Sequence, residues 1–421
     1  MRTLNVYLHD GLVGHIFENR KGGRFQYLEE VVERHTGLPV LSLSLPAKVK
    51  PFGEGKTFSW FTGLLPEGRR REDICRSLNI SPYDWIGLLG AIGWECAGAV
   101  KVCQEDGEPI APASYRVLSP DELGNRLSDI SLRLPRETNG QFRMSLGGFQ
   151  EKLCVAMPPL SDAGFVEGVE ASLPEGDAAS THILKPENAK DYPGSAESEA
   201  WAMRAARKAA RCSKVALLSL PGVPSTLVVE RFDRRGAGWP GDVRRLHQED
   251  ACQALGIDSS DKYADPRQAK GSDPSYKAMA ELLVKHAGNP LAEMQELLRQ
   301  MTVNFALGNW DAHGKNSAFL YEKPMAPTMA PLYDVVPIAE VEPRTEHLSL
   351  RIGGCILPRE VGRKQVLEEA CGWGLSASVA EETLAVCLKD LEAGIREASE
   401  VYPDAGKRHA EPSLRRMDAL A

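Results

Sequence analysis

The sequence predicts an α+β chain in two lobes, and three observations carry that expectation. The first 28 residues alternate like paired strands. The middle of the chain reads strand–helix–strand, and beyond Asp233 helical periodicity takes over. No internal repeat is visible. The expected division is a β-rich unit over 1–110, a second β-containing unit over 111–233, and a helical lobe over 234–421.

The strand signals come first in the chain. "LNVYL", the turn Asp10-Gly11, "LVGHIFE", then Lys21-Gly22-Gly23 and "RFQYL" give two hairpin signals within residues 3–28. "FSWFTGLLPEGRRRED" and "SPYDWIGLLGAIGWECAGAVKV" mix short helical patterns with glycines and tryptophans, and the second runs into a strand-like end. Trp60, Trp85 and Trp94 read as core. The polar stretch 104–114 reads as a linker. From about 140, "FRMSLGG" leads to the strand "EKLCVAM", a polar loop, and the strand "STHILKP". "SAESEAWAMRAARKAARC" predicts a helix with Ser195 as N-cap, acids in its first turn and bases in its last. "STLVVERF" is a further strand. Helices are expected over 247–256, 275–287, 291–308, 361–371 and 378–398.

Composition excludes several function classes. The 421 residues carry a net charge of −8 and a pI near 5.7, which argues against a broad nucleic-acid footprint. Nine cysteines are scattered without a C-x-x-C pair, a pattern that fits reduced thiols in a cytosolic protein. No H-E-x-x-H points to zinc. The amino terminus has no apolar signal core and no apolar run approaches a membrane span, so a soluble, cytoplasmic protein is expected.

The densest chemistry lies in "NFALGNWDAHGKNSAFLY". A helical run ends in a polar knot holding Asp311, His313, Lys315 and Asn316, and a short apolar run follows. Asp311 and Asn316 stand five apart, the spacing of the catalytic-loop aspartate and metal-binding asparagine of protein kinases. Phosphoryl transfer is mostly positioning and charge neutralisation. One carboxylate orients the acceptor hydroxyl, and a neutral oxygen ligand nearby can hold Mg²⁺ without added repulsion. A surface turn would produce the same spacing. In "MAPLYDVVPIA", however, Asp334 ends a second apolar run 18 residues after Asn316, as if a hairpin delivered a second carboxylate. It lacks the Phe-Gly of D-F-G, and a turn cap before Pro337 is the plainer alternative.

Lys185 near the end of "THILKPE" is either a solvated strand-end charge or a phosphate-binding amine. The following helix offers Glu197 and Glu199 as partners, and Glu199 shares the face of Met203 and Ala206. "VVERFDRR" reads as a crossing between lobes whose backbone, around Glu230 and Phe232, can pair with an adenine edge; an ordinary strand end reads the same. "SLGGFQEK", Ser145 to Lys152, is either a hairpin turn or a loop in which Gly147 and Gly148 let amides approach phosphate.

"SLGGFQEK", "HILKPE", "VVERFDRR", "HQEDACQALG" and "NWDAHGKN … PLYD", in that order, resemble the HipA family of bacterial serine/threonine kinase toxins. "FTGLLPEGRRRE" and "LLGAIGWECAGAV" resemble that family's first subdomain, and the likeness spans nearly the whole chain, weakening in about the last 20 residues. The resemblance implies a two-lobed protein-kinase-like fold with an extra N-terminal β-rich subdomain and an all-α C-terminal lobe. It implies ATP and Mg²⁺ as cofactors, Asp311 as catalytic aspartate, and Asn316 and Asp334 as metal ligands. Lys185 would bind ATP phosphates, His313 would lie by the nucleotide, and Glu230 to Phe232 would hold adenine. The loop residues Ser145, Gly147, Gly148, Gln150 and Lys152 would line the phosphates, with Ser145 autophosphorylated to silence the kinase.

The implied partners are a HipB-like helix-turn-helix antitoxin, DNA only through that antitoxin, and an aminoacyl-tRNA synthetase substrate such as glutamyl-tRNA synthetase; no membrane partner is expected. Phe149 and Trp310 are bulkier than the family pattern at their positions. A small-molecule or lipid kinase with a similar D-x-H-x-x-N loop, and an inactive antitoxin-binding co-repressor, are the other readings. The acidic chain shows no membrane surface for the first, and the presence of Asp311, Asn316, Asp334 and Lys185 weighs against the second.

Overall fold

The structure is a computed structural model that describes residues 1–106, 111–132, 152–166, 168, 170–188, 193–236, 243–341 and 346–421. The N-terminal alternation becomes β1 (Thr3–Leu8), β2 (Gly11–Asn19) and β3 (Gly22–Tyr27). Leu4, Val6, Ile16 and Phe25 fall on the buried face. The left-handed residue of the first turn is His9, at φ 55°. Helices α1 (Glu29–His35), α2 (Glu54–Thr62), α3 (Gly68–Ser77) and α4 (Trp85–Ile92) precede β4 (Val100–Gln104). That strand returns to pair antiparallel with β1, giving the order β3-β2-β1-β4. Trp60 and Trp85 are buried in this unit's own core, as expected, and Trp94 is half-buried.

The middle unit contains β5 (Ser114–Val117), α5 (Pro120–Ser131), β6 (Leu153–Val155), β7 (Ser172–Glu175), β8 (His182–Pro186), α6 (Ser195–Ala209), β9 (Val215–Leu218) and β10 (Thr226–Glu230). Its sheet runs β6-β8-β10-β9, entirely antiparallel, and β5 pairs with β7. Ser195 is not the cap of α6. Gly194 takes that position at φ 79°, and the Glu187 carboxylate accepts from the Gly194 amide at 2.6 Å. A carboxylate from the preceding strand end thus meets the helix N-terminus where Ser195 was expected to do so.

The last unit opens with β11 (Arg234–Gly236), β12 (Val243–Arg245) and β13 (His247–Asp250), then α7 (Ala251–Leu255), α8 (Tyr276–His286) and α9 (Pro290–Ala306). The expected helix over 247–256 is therefore half strand. Asp250 ends β13 and caps α7 in a reciprocal box with Gln253. The hairpin β14 (Ala318–Lys323) and β15 (Ala326–Met329) joins β13 in a three-stranded sheet, and β11 pairs with β12, so the helical lobe contains two small sheets. Helices α10 (Ile338–Val341), α11 (Arg363–Gly372), α12 (Ala377–Val401) and α13 (Pro403–Asp418) complete it. The last helix escaped the pattern because it holds Pro412 and a strongly polar face. Helix α12 lies against α6, and a Cβ at Gly394 would come within 2.3 Å of the Ala205 carbonyl oxygen. Only glycine allows that approach.

The N-terminal unit is docked rather than tethered. Glu249, fully buried on β13, accepts from the Ser42 hydroxyl at 2.5 Å, the Leu43 amide at 2.9 Å, the Trp60 indole at 3.0 Å and the Tyr321 hydroxyl at 2.5 Å. His247 Nε2 lies 2.8 Å from the Leu41 carbonyl, and Gln253 donates to the Trp60 carbonyl at 3.0 Å. The "HQEDACQALG" stretch is thus a dock between the first unit and the helical lobe. Glu249→Ala would strand three buried donors and the half-buried Leu43 amide at once and is expected to cost about 3 kcal/mol. The measurement is the shift of the first urea transition beside wild type; an unchanged midpoint would remove Glu249 from this role.

Candidate active site

Lys185, the penultimate residue of β8, is buried and lies between two carboxylates. Its Nζ sits 2.7 Å from Glu199 Oε1 on α6 and also bonds Asp334 Oδ1. The choice of Glu199 over Glu197 on helical facing agrees with the structure. Glu197 points elsewhere and accepts from the amides of Asp404 and Ala405 at the start of α13. Burial works to lower the Lys185 pKa, but the two carboxylates outweigh it and raise it, so the amine stays charged. Burial would raise Asp334, and the Lys185 charge more than reverses that. Glu199, deeper in the core, is raised by burial against the pull of the same ammonium.

Asp334 follows the β14–β15 hairpin by five residues and takes a left-handed conformation at φ 59°. Its carbonyl accepts from Asn309 at 3.3 Å. The side chain remains 40% exposed, so one carboxylate edge can take a further positive group. Asp311 and Asn316 occupy the loop between α9 and β14. Asn316 Nδ2 donates to the Asp311 carbonyl at 3.0 Å, which leaves the amide oxygen for a ligand. The Asp311 carboxylate accepts from the Tyr263 hydroxyl at 2.9 Å.

His313 is 6% exposed and its Nδ1 has no hydrogen-bond partner among the described residues. Burial, then the nearby Lys262 charge, lowers its pKa to about 4, so the ring is neutral at pH 7. A buried ring nitrogen left unpaired beside a carboxylate loop suits a site that a ligand completes.

Lys152, just before β6, is pushed down to about 8 by burial and then by the charges of Lys185 and Arg70. Arg70 of α3 also donates to the Lys152 carbonyl at 3.0 Å. Ser145, Gly147, Gly148 and Gln150 lie outside the described residues. Lys315 turns away from the loop's open side. Its ammonium bonds the Gly63 carbonyl and Asp250, each at 3.0 Å, and Lys262 pairs with Glu67 at 3.0 Å. The Asp311 loop region and the N-terminal unit are therefore bonded directly.

At the lobe crossing, Glu230 accepts from the Leu160 amide at 3.1 Å, and its own amide donates to the Lys214 carbonyl at 2.9 Å. Phe232 packs on Tyr333, ring centroids 5.5 Å apart, and the Tyr333 hydroxyl donates to the Lys315 carbonyl at 2.6 Å. The charged tail of the crossing is buried. Glu95 faces Arg231 at 3.2 Å, Arg234 at 3.1 Å and Arg245 at 2.8 Å, and Asp233 holds Arg231 at 2.8 Å. Burial would raise Glu95, but the three guanidinium groups hold it at about 2. The sequence reading missed this cluster, Tyr263, Lys262 and Glu67; "FDRR" was the signal for part of it. A cavity of about 670 Å³ lies elsewhere, between the N-terminal sheet and the β11–β12 hairpin, and contains none of the Asp311 loop. Its volume does not mark the chemistry.

A buried lysine shared by a helix glutamate and a post-hairpin aspartate, beside an Asp–Asn loop, is a kinase arrangement. Comparison with known proteins agrees with it. Residues 4–103 match the HipA N-terminal domain and residues 144–395 the HipA-like C-terminal domain. The chain belongs to the HipA family. It is 36% identical over 388 residues to the putative kinase Y4mE of Sinorhizobium fredii, covering 90% of this chain and 86% of that one. To the serine/threonine-protein kinase toxin HipA of Shewanella oneidensis it is 29% identical over 411 residues, covering 95% and 90%. A chain from the solved Shewanella oneidensis complex of HipA, HipB and operator DNA superposes with a TM-score of 0.80 at 25% identity, covering 99% of this chain and 96% of that one. Membership makes this an enzyme of the kinase class with the two-lobed, kinase-like fold of HipA. No helix among the described residues is long and apolar enough to cross a membrane.

The depressed Lys152 carries a pH expectation. Its charge is present below about 8 and lost as pH rises through that value. Mg²⁺-ATP binding, followed by calorimetry, should weaken roughly tenfold between about pH 7 and pH 9. Lys152→Arg should flatten the profile; an equal slope in both proteins would exclude Lys152 as a nucleotide-binding cation.

Proposed function

We propose that this protein transfers the γ-phosphoryl group of ATP to a serine or threonine hydroxyl of another protein, as the toxin of a HipB-like antitoxin pair. The observation that carries the reading is the Lys185 ammonium held by Glu199 and Asp334, with Asp311 and Asn316 on the adjoining loop.

The residues present fit the cofactors. Lys185 and Lys152 are the cations for the nucleotide phosphates. Among the described residues no group of three His, Cys, Asp or Glu side chains forms a metal site. Asp334 and the Asn316 oxygen are a sparse donor pair, which suits Mg²⁺, an ion that keeps waters and binds substrate phosphates. When bound, Mg²⁺-ATP supplies the phosphoryl group and neutralises charge on its oxygens. Asp311 orients the acceptor hydroxyl and takes its proton. His313 offers its unpaired nitrogen near the nucleotide. With the amides of Glu230 and Arg231 already donated to Lys214 and Thr181, an adenine edge at the crossing would find the Phe232 amide.

Ser145 is the proposed autophosphorylation site, and the division at 110 and 233 the proposed domain boundaries. An aminoacyl-tRNA synthetase is the proposed target, in the cytoplasm, with DNA reached only through the antitoxin. The Shewanella oneidensis complex of HipA, HipB and operator DNA supports the antitoxin partner and the family the kinase chemistry; the synthetase rests on the family resemblance alone.

Intact mass after incubation with Mg²⁺-ATP tests the chemistry. Wild type should gain one phosphate, mapped to Ser145, and Asp311→Ala should gain none while keeping its circular dichroism and melting profile. Full phosphorylation of Asp311→Ala would refute the assignment of the base. Ser145→Ala should remain active over hours in which wild type falls silent; an unchanged phosphorylation yield in that variant would place the modification elsewhere.

A further inference from the structure

Tyr263 touches the proposed base directly. Its hydroxyl donates to Asp311 Oδ1 at 2.9 Å. Burial, then the Asp311 charge, raises the phenol pKa, so it carries its proton at neutral pH. A hydroxyl donated to that carboxylate is also the contact an acceptor must make before transfer.

The backbone on both sides of Tyr263 is pinned to the catalytic loop. The Lys262 carbonyl accepts from the Gly314 amide at 3.0 Å, and the Ala264 amide donates to the Ser349 carbonyl at 2.8 Å. Ser349 in turn donates to the Trp310 carbonyl through its hydroxyl at 2.6 Å. The segment cannot lift without breaking bonds to the residues that frame Asp311. The side chain is different: Tyr263 is 45% exposed and lies edge-on to the His313 ring at 5.0 Å, and none of those backbone bonds involves its side chain, so a change of its χ angles need not break them.

We infer that the Tyr263 hydroxyl occupies the acceptor subsite on Asp311, so that the acceptor protein and Tyr263 compete for the base. The inference rests on the kinase reading above. A serine or threonine hydroxyl reaches Asp311 by turning the phenol outward. With no acceptor present, the phenol keeps water off the base and limits hydrolysis of ATP. Acceptor choice is then set partly by whether the incoming segment can displace an aromatic ring.

Tyr263→Phe tests this cleanly, because it keeps the ring on His313 and removes only the hydroxyl. ADP release in Mg²⁺-ATP alone and the pace of self-phosphorylation by intact mass are compared with wild type, with Asp311→Asn as background. Both rates should rise about threefold or more, the gain expected when a competing closed state is removed, while Mg²⁺-ATP affinity stays the same. A fall in both rates would mean that the hydroxyl positions Asp311 for catalysis, which overturns the competition. Equal rates would mean that the contact is idle and overturn it equally. If wild type itself binds Mg²⁺-ATP but neither releases ADP nor gains phosphate, the kinase reading fails, and this inference with it. An active wild type with an unaltered variant sinks the inference alone.

Discussion

The Lys185 ammonium is the charge on which the rest of the site depends. A buried cation is tolerated only when its partners outweigh the loss of water, and here two carboxylates from separate elements do so. Glu199 comes from α6, and Asp334 comes from beyond the β14–β15 hairpin in the other lobe. One side chain thereby sets how the strand, the helix and the hairpin end meet. It also sets a division of labour. Glu199 is buried and stays with the lysine. Asp334 is half in solvent and can share its charge with an arriving cation.

The N-terminal unit belongs to this machinery. Lys315, two residues from His313, bonds Gly63 and Asp250, and Lys262 pairs with Glu67, so the Asp311 loop and its neighbours are braced by the N-terminal unit. At the crossing, Glu95 meets Arg231, Arg234 and Arg245 with almost no water access. Asp233 also holds Arg231 and Arg234, so the charges form one buried network, and bending at 231–234, which would part several of its pairs at once, is opposed more strongly than in a solvated hinge. Relative motion of the lobes is more easily accommodated where hydrogen bonds are few and backbone is exposed.

Local patterns were sufficient for most elements. The N-terminal hairpins, α6, α8, α9 and the Asp311 loop were legible because period-2 and period-3.6 patterning and the helix-to-strand change around Asn309–Asn316 are properties of neighbouring residues. The Lys185–Glu199 pair was legible for a similar reason: a strand end and the next helix are close in the chain, and helical facing decides between Glu197 and Glu199. The failures arise where a contact from outside the element overrides its own pattern. Ser195 lost the cap to Gly194 because Glu187, eight residues earlier, supplies the acceptor. The helix over 247–256 became half strand because β13 finds β14 about 70 residues later.

What the sequence by itself determined is the chemistry available: a lysine, three acids, an asparagine and a histidine in a fixed order, on elements of recognisable type. What only the tertiary structure decided is who faces whom. The pairing of Lys185 with Asp334, the docking of Glu249 onto Ser42, Leu43 and Trp60, and the hydroxyl of Tyr263 on Asp311 each join residues 48 to 207 positions apart. Charge and hydrogen bonding act through space at a few ångströms. No local periodicity encodes which distant partner will arrive there.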